Sequence, residues 1–197
     1  MDYDSVIRKQ RMTRRFDQSP VPRELLEKLL TDAQKAPSAG FTQGVAFLVL
    51  QGAETGLFWQ YAAKQVPLDG TQPPVIILAL ANKQAYLNRY SLPDKAGTGM
   101  HSEEGWPTPY WLIDSAFASM VVMLSATASG LGCWIFGIFG DEDKLLRELN
   151  VPKEFSTIGA IALGYPAPRV TRPSLKSRRK KFEDFAQFGK WQAPKPE

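Results

Sequence analysis

Two clusters of basic residues stand near opposite ends of the sequence: Arg11, Arg14 and Arg15 near the start, and Lys176, Arg178 and Arg179 near the end. Between them, Lys35 to Gly44 reads KAPSAGFTQG, a run of small residues with no ionised side chain after Lys35. Forked guanidinium groups grip phosphate oxygens two at a time, and a Ser/Gly loop lets the main chain approach a flat ring. The combination suits a phosphorylated, planar cofactor. Other chemistries lack parts. The single histidine, His101, and the single cysteine, Cys133, supply neither a hydrolytic triad nor a metal cluster. No carboxylates show calcium-loop spacing, and neither GxxxxGK followed by Ser or Thr nor GxGxxG occurs; GTG and GLG have the wrong spacing.

Elements must hold these residues in place. Asp2 to Gln10 predicts a short helix. Leu25, Leu26, Leu29, Leu30, Ala33 and Ala36 recur at helical spacing, with Pro22 near the first turn, Glu24 and Glu27 favouring the positive end of the dipole, and Pro37 as the stop. Val45 to Leu50, Val75 to Ala81, Cys133 to Phe139 and Ile158 to Leu163 are continuous apolar runs of strand length, the pattern of strands buried on both faces. Asp141 to Leu149 predicts a short amphipathic helix capped by Asp141. The elements mix without strict alternation, so the expected fold class is α+β, a mixed, mainly antiparallel sheet covered by helices.

Ser115 to Phe139 carries no formal charge, which raises the question of a membrane span. The serines and glycines that interrupt it, with Gly130-Leu131-Gly132 as a helix stop, argue instead for a buried helix and a buried strand. The helix expected from about Ile113 to Ser129 is apolar on every side and has to be surrounded, in part by a second copy of the chain. Ala85 to Trp111 reads as a long aromatic loop, a lid or insertion beside the site.

With 197 residues, 44% hydrophobic and 22% charged, the composition is that of one globular domain spanning 1–197. A lone cysteine and a charged start fit a cytoplasmic protein. Net charge is +4, but Arg169 to Lys181 holds seven basic residues and no acidic one, and without them the rest is −3. The basicity is therefore local, a C-terminal extension at about 169–197. It reads either as a site for one anionic ligand, as a solvated face, or as a strip for nucleic acid or an acidic partner.

In sum these segments resemble the FMN-dependent nitroreductase family. RMTRRF, then PVPRELLEKLLTDAQKAPSAGFTQG and an apolar strand, is similar to its opening, and GLGCWIFGIF, LLRELNVPKEF, AIALGYP and LKSRRK follow in the family's order and spacing. The resemblance implies a nitroreductase-like fold in a homodimer with FMN at the subunit interface, and no nucleic-acid or membrane partner. It implies an oxidoreductase in which FMN takes a hydride from NADPH or NADH and then reduces a nitroaromatic, quinone or related conjugated acceptor by a ping-pong mechanism. Reductive dehalogenation, flavin fragmentation and azoline oxidation are admitted by the same resemblance.

Residue by residue, it assigns Gln10, Arg11, Met12 and Arg14 to the FMN phosphate and ribityl chain, with Lys176 and Arg178 completing that end. Pro37, Ser38, Ala39, Gly40 and Gln43 fall against the flavin, typically from the other subunit. Trp134, Ile135, Phe136 and Gly137 fall beside the ring, and no protein acid or base is required. Phe41 stands where the family often has Asn, Gly44-Val45 replaces Pro-Trp, and Gln10 and Met12 depart from Arg and Ser. Phe41, with Tyr110 and Trp111 of the aromatic segment, is therefore expected to meet the substrate.

Overall fold

The computed structural model describes residues 1–62, 72–168 and 178–192. The four apolar runs form four strands: β1 (Val45–Gln51), β2 (Val75–Asn82), β3 (Gly132–Phe136) and β4 (Phe155–Gly164). Their order in the sheet is β1-β2-β4-β3, and every neighbouring pair is antiparallel. An isolated parallel bridge between Met12 and Cys133 sets the N-terminal segment along β3. β2, second in the sheet, is buried from Val75 to Ala81, which is why its sequence shows no alternation. The β2–β4 register breaks between Ala79 and Leu80, opposite Gly159, leaving Ile158 as the extra residue of a bulge.

Helices cover both faces. On one side α2 (Arg23–Ala33) and α5 (Tyr110–Ala128) bring Leu26, Leu29, Val122, Met123 and Ala126 against Ile77 and Ile161. On the other, α3 (Ala53–Ala62) and α6 (Glu142–Glu148) bring Phe58 and Leu145 against Leu50, Ile76, Leu78, Trp134 and Phe136. The short α1 (Tyr3–Lys9) is capped by Asp2, and α6 by Asp141, which accepts from the Lys144 amide at 3.0 Å.

Three boundaries differ from expectation. Ala85 to Tyr90 is helical, part of α4 (Lys83–Tyr90), whose Asn82 cap accepts from the Ala85 amide at 2.9 Å; too few apolar residues gave it periodicity. β3 ends at Phe136, because the backbone leaves the sheet at Gly137 and Phe139 is exposed. α5 begins at Tyr110, three residues early.

By length and composition α5 could cross a membrane, but more than half of it is buried within the protein. Its buried hydroxyls are satisfied locally: Ser119 donates to the Ser115 carbonyl at 2.7 Å, and Ser115 to the Trp111 carbonyl at 2.8 Å. Leu112, Ala116, Phe117 and Met120 form an uncovered stripe on its outer side.

The chain divides into two units, Met1–Ala167 and Pro168–Glu197. The second contains the short α7 (Phe182–Phe185) and four exposed aromatic residues, Phe182, Phe185, Phe188 and Trp191.

Candidate functional site

After α2 the chain enters the KAPSAGFTQG segment, which the structure turns into a tight, strained loop. Ala39 to Phe41 makes one 3-10 turn, with Gly40 at φ 61°. Phe41 and Gln43 follow at φ 52° and 53°, two of the three non-glycine residues with positive φ among the described residues. Left-handed backbone costs a side-chain-bearing residue ~1–2 kcal/mol, so two in one short loop need outside support.

That support is visible. Ser38 accepts from the Gln43 amide at its hydroxyl (3.0 Å) and from the Phe41 amide at its carbonyl (2.9 Å). The Ala39 amide donates to Asp114 Oδ2 at 2.9 Å, from α5. Arg89 Nε donates to the Gly40 carbonyl at 3.0 Å, and the same guanidinium is held by both oxygens of Asp94 at 2.8 and 2.7 Å. A Cβ at Gly40 would stand 2.8 Å from the Tyr90 ring, so that position needs glycine for space as well as for φ. Phe41 is left 77% exposed. Beside the loop lies a cleft of about 390 Å³ lined by Pro37, Ser38, Gln43, Phe47, Asp114 and Ala118 among others.

The basic cluster is elsewhere. Arg11, with Lys9, Thr13, Thr127 and Gly132, lines a second, smaller cleft of about 140 Å³. None of the four ion pairs among the described residues includes Arg11, Arg14 or Arg15. Arg14 lies over the Trp134 ring, 4.7 Å from its centroid, which steers the guanidinium without neutralising it. Gln10 is half-buried, and its carboxamide oxygen is engaged by the Thr127 hydroxyl near the end of α5. It also reaches the Cys133 thiol, which burial pushes up to about 11. Met12 is 45% exposed beside its bridge to Cys133.

Trp134 and Phe136 point into the core on the α3/α6 side, their rings 4.5 Å apart, whereas Ile135 packs on the α2/α5 side. That strand thus has its main chain and Gly137 to offer. Trp111 is buried with Tyr86 and Trp106, and Tyr110 sits at the exposed first turn of α5, its ring 5.7 Å from Trp106. Lys176 lies outside the described residues; Arg178 is exposed within the C-terminal unit.

One chain therefore does not gather its sequence-identified residues in one place. The loop is tied to Asp114 near the start of α5 and the basic segment to Thr127 near its end. Thirteen helical residues span roughly 20 Å. Sequence reasoning missed Asp114 and Tyr86: a lone carboxylate opening an apolar helix, and a tyrosine taken for part of a loop, gave no periodic signal.

A sequence model of the nitroreductase family matches residues 7–165. A curated protein of Methanothermobacter thermautotrophicus, named "Putative NADH dehydrogenase/NAD(P)H nitroreductase", is 26% identical over 172 residues, covering 85% of this chain and 78% of its own. Among solved structures, a nitroreductase family protein from Clostridium difficile superposes with a TM-score of 0.73 at 21% identity, covering 97% of this chain and 100% of its own. A "putative nitroreductase in complex with FMN" from Exiguobacterium sibiricum gives 0.75 at 22% identity, covering 96% and 98%. At such identities the superpositions carry the fold.

Proposed function

This chain belongs to the nitroreductase family, and from that premise we propose that it is an FMN-dependent oxidoreductase that uses NADPH or NADH to reduce a nitroaromatic, quinone or related conjugated acceptor. The observation that carries the reading is the pair of half-sites at the two ends of α5: unpaired guanidinium groups at one, a strained main-chain loop at the other. An apolar stripe lies between them. The residues fit the cofactor. Arg11 and Arg14 lack a carboxylate partner among the described residues and would meet the phosphate; Met12, and Lys176 and Arg178 of the C-terminal segment, are assigned to the same end. Gln10 is assigned there too, through its backbone, since its side chain is engaged.

The loop residues Pro37, Ser38, Ala39, Gly40 and Gln43 would lie against the ring, with the main chain of Trp134, Ile135, Phe136 and Gly137 on its other side. When bound, FMN supplies the hydride chemistry, first from the nicotinamide and then to the acceptor at the same face. Arg14 or Lys176 would stabilise negative charge there. Phe41 and Tyr110, both solvent-facing, are assigned to the acceptor, and Trp111 to the wall behind them.

A gap of ~20 Å between half-sites on one chain supports a homodimer whose α5 helices run antiparallel across a two-fold axis. With Met120 near the axis, the loop of one protomer comes beside the basic segment of its partner. Covering Leu112, Phe117 and Met120 at once buries the stripe.

Purified protein should be yellow with flavin absorbance, and should oxidise NADPH or NADH in the presence of nitro, quinone or flavin acceptors. A colourless protein that FMN cannot reconstitute refutes the reading. The acceptor panel separates nitro and quinone reduction from dehalogenation or azoline oxidation.

A further inference from the structure

The segment from Ser38 to Gly44 is anchored at both ends by the same buried pair, Tyr86 and Asp114. Asp114 Oδ2 accepts from the Ala39 amide at 2.9 Å and from the Tyr86 hydroxyl at 2.7 Å. The Tyr86 oxygen is in turn hydrogen-bonded by the Gly44 amide. Asp114 is 3% exposed and Tyr86 fully buried, so water does not compete for these bonds. The result is a continuous path, Ala39 to Asp114 to Tyr86 to Gly44, that spans the strained turn between them.

Two details show that the path is built into the sequence. A Cβ on residue 44 would stand 2.5 Å from the Tyr86 ring, so only glycine lets the phenol reach this far. Residue 44 must also carry an amide hydrogen, which a proline would lack. Burial and the Asp114 carboxylate hold the Tyr86 phenol well above its ordinary pKa, so it stays a donor.

We propose that Tyr86 and Asp114 are positioning residues: a buried clamp that fixes both ends of the Ser38–Gly44 segment and thereby fixes where Phe41 meets an incoming electron acceptor. The clamp stands on geometry alone; its effect on the acceptor rests on the flavin reading above.

The test compares wild type with Tyr86→Phe, Asp114→Asn and Asp114→Ala by hydrogen exchange and, on the FMN-loaded protein, by steady-state kinetics with a quinone acceptor. Tyr86→Phe keeps the ring and removes one hydroxyl. Amide exchange at Ala39 and Gly44 should speed up about tenfold, the loss expected for one buried hydrogen bond, while β2 and β4 amides keep their wild-type rates. The KM for the acceptor should rise roughly three- to tenfold with kcat within about twofold, a split that general loss of folded protein does not produce. Asp114→Asn keeps an acceptor oxygen for Ala39 and should fall between wild type and Asp114→Ala.

Unchanged exchange at residues 39 and 44 in Tyr86→Phe overturns the clamp, as does acceleration spread evenly over the sheet. A faster loop with an unchanged acceptor KM overturns the assignment of Phe41's position to it. If wild type takes up no FMN, the flavin reading fails by itself, and the exchange data still decide the clamp.

Discussion

Met120→Glu is the sharpest test of a site shared between two chains. Leu112, Phe117 and Met120 are 38%, 49% and 47% exposed, so a partner helix would cover roughly half of each. Full burial of such a side chain stabilises by ~1.5–3 kcal/mol, so half gives about 1 kcal/mol each, or ~6 kcal/mol over both protomers. A glutamate at 120 removes about 1 kcal/mol from each side and brings two carboxylates together near the axis, where desolvation costs several kcal/mol more. The dimer should weaken by at least ~4 kcal/mol, about a thousandfold in Kd.

Sedimentation velocity reads this directly, since one chain is 22.0 kDa. At micromolar concentration, wild type should run as a dimer and the variant as a folded monomer, with native circular dichroism. FMN affinity should fall with it, because loop and guanidinium groups then come from chains no longer joined. A monomeric variant that binds FMN as tightly as wild type refutes the shared site. A variant that stays dimeric refutes the α5 pairing.

Arg14→Ala should raise the FMN Kd some ten- to a hundredfold, as for the loss of a charge-assisted bond, while the melting temperature falls only by the ~1 kcal/mol of its contact with Trp134; unchanged affinity would remove Arg14 from the phosphate. Gly44→Ala should destabilise by ~1–3 kcal/mol in urea, because its Cβ overlaps the Tyr86 ring, and a variant as stable as wild type would contradict that packing. Cys133 predicts a pH dependence: the unfolded thiol loses its proton near pH 9 and the folded one only near 11. Between those values deprotonation favours the unfolded chain alone, so stability should fall as pH rises, by about 2–3 kcal/mol in total. Tyr86, also shifted upward, extends the fall above pH 10. Cys133→Ala should flatten the slope between pH 9 and 11; an identical slope would assign it to other groups.

The sheet was legible where strands are buried on both faces. Val45–Gln51 and Val75–Asn82 match the apolar runs to within a residue, because nothing but burial shaped their composition. β4 begins three residues earlier than its apolar run, since Ser156 and Thr157 sit on a half-covered stretch before the bulge at Ile158. α4 was illegible because Gln84, Asn88 and Arg89 serve its solvent side and the loop beyond it, leaving Tyr86 and Leu87 to mark the core. The basic cluster and the Ser/Gly loop were both visible as types. That they stand at opposite ends of one helix was not, because nothing local in a sequence records that Ala39 meets Asp114. The inward turn of Gln10 toward Thr127 is the same kind of fact.

Both ends of α5 are tied to segments made long before it: Ala39 precedes Asp114 by 75 residues, and Gln10 precedes Thr127 by 117. During synthesis at ~5–20 residues per second, the loop waits roughly 4–15 s for its anchor. The N-terminal basic segment waits longer. Over that interval α2 has emerged with Leu26 and Leu29 uncovered, since Val122 and Met123 of α5 are among the side chains that bury them. The helix that organises the site therefore also sets the period during which the nascent chain depends on whatever shields its apolar side chains on the ribosome.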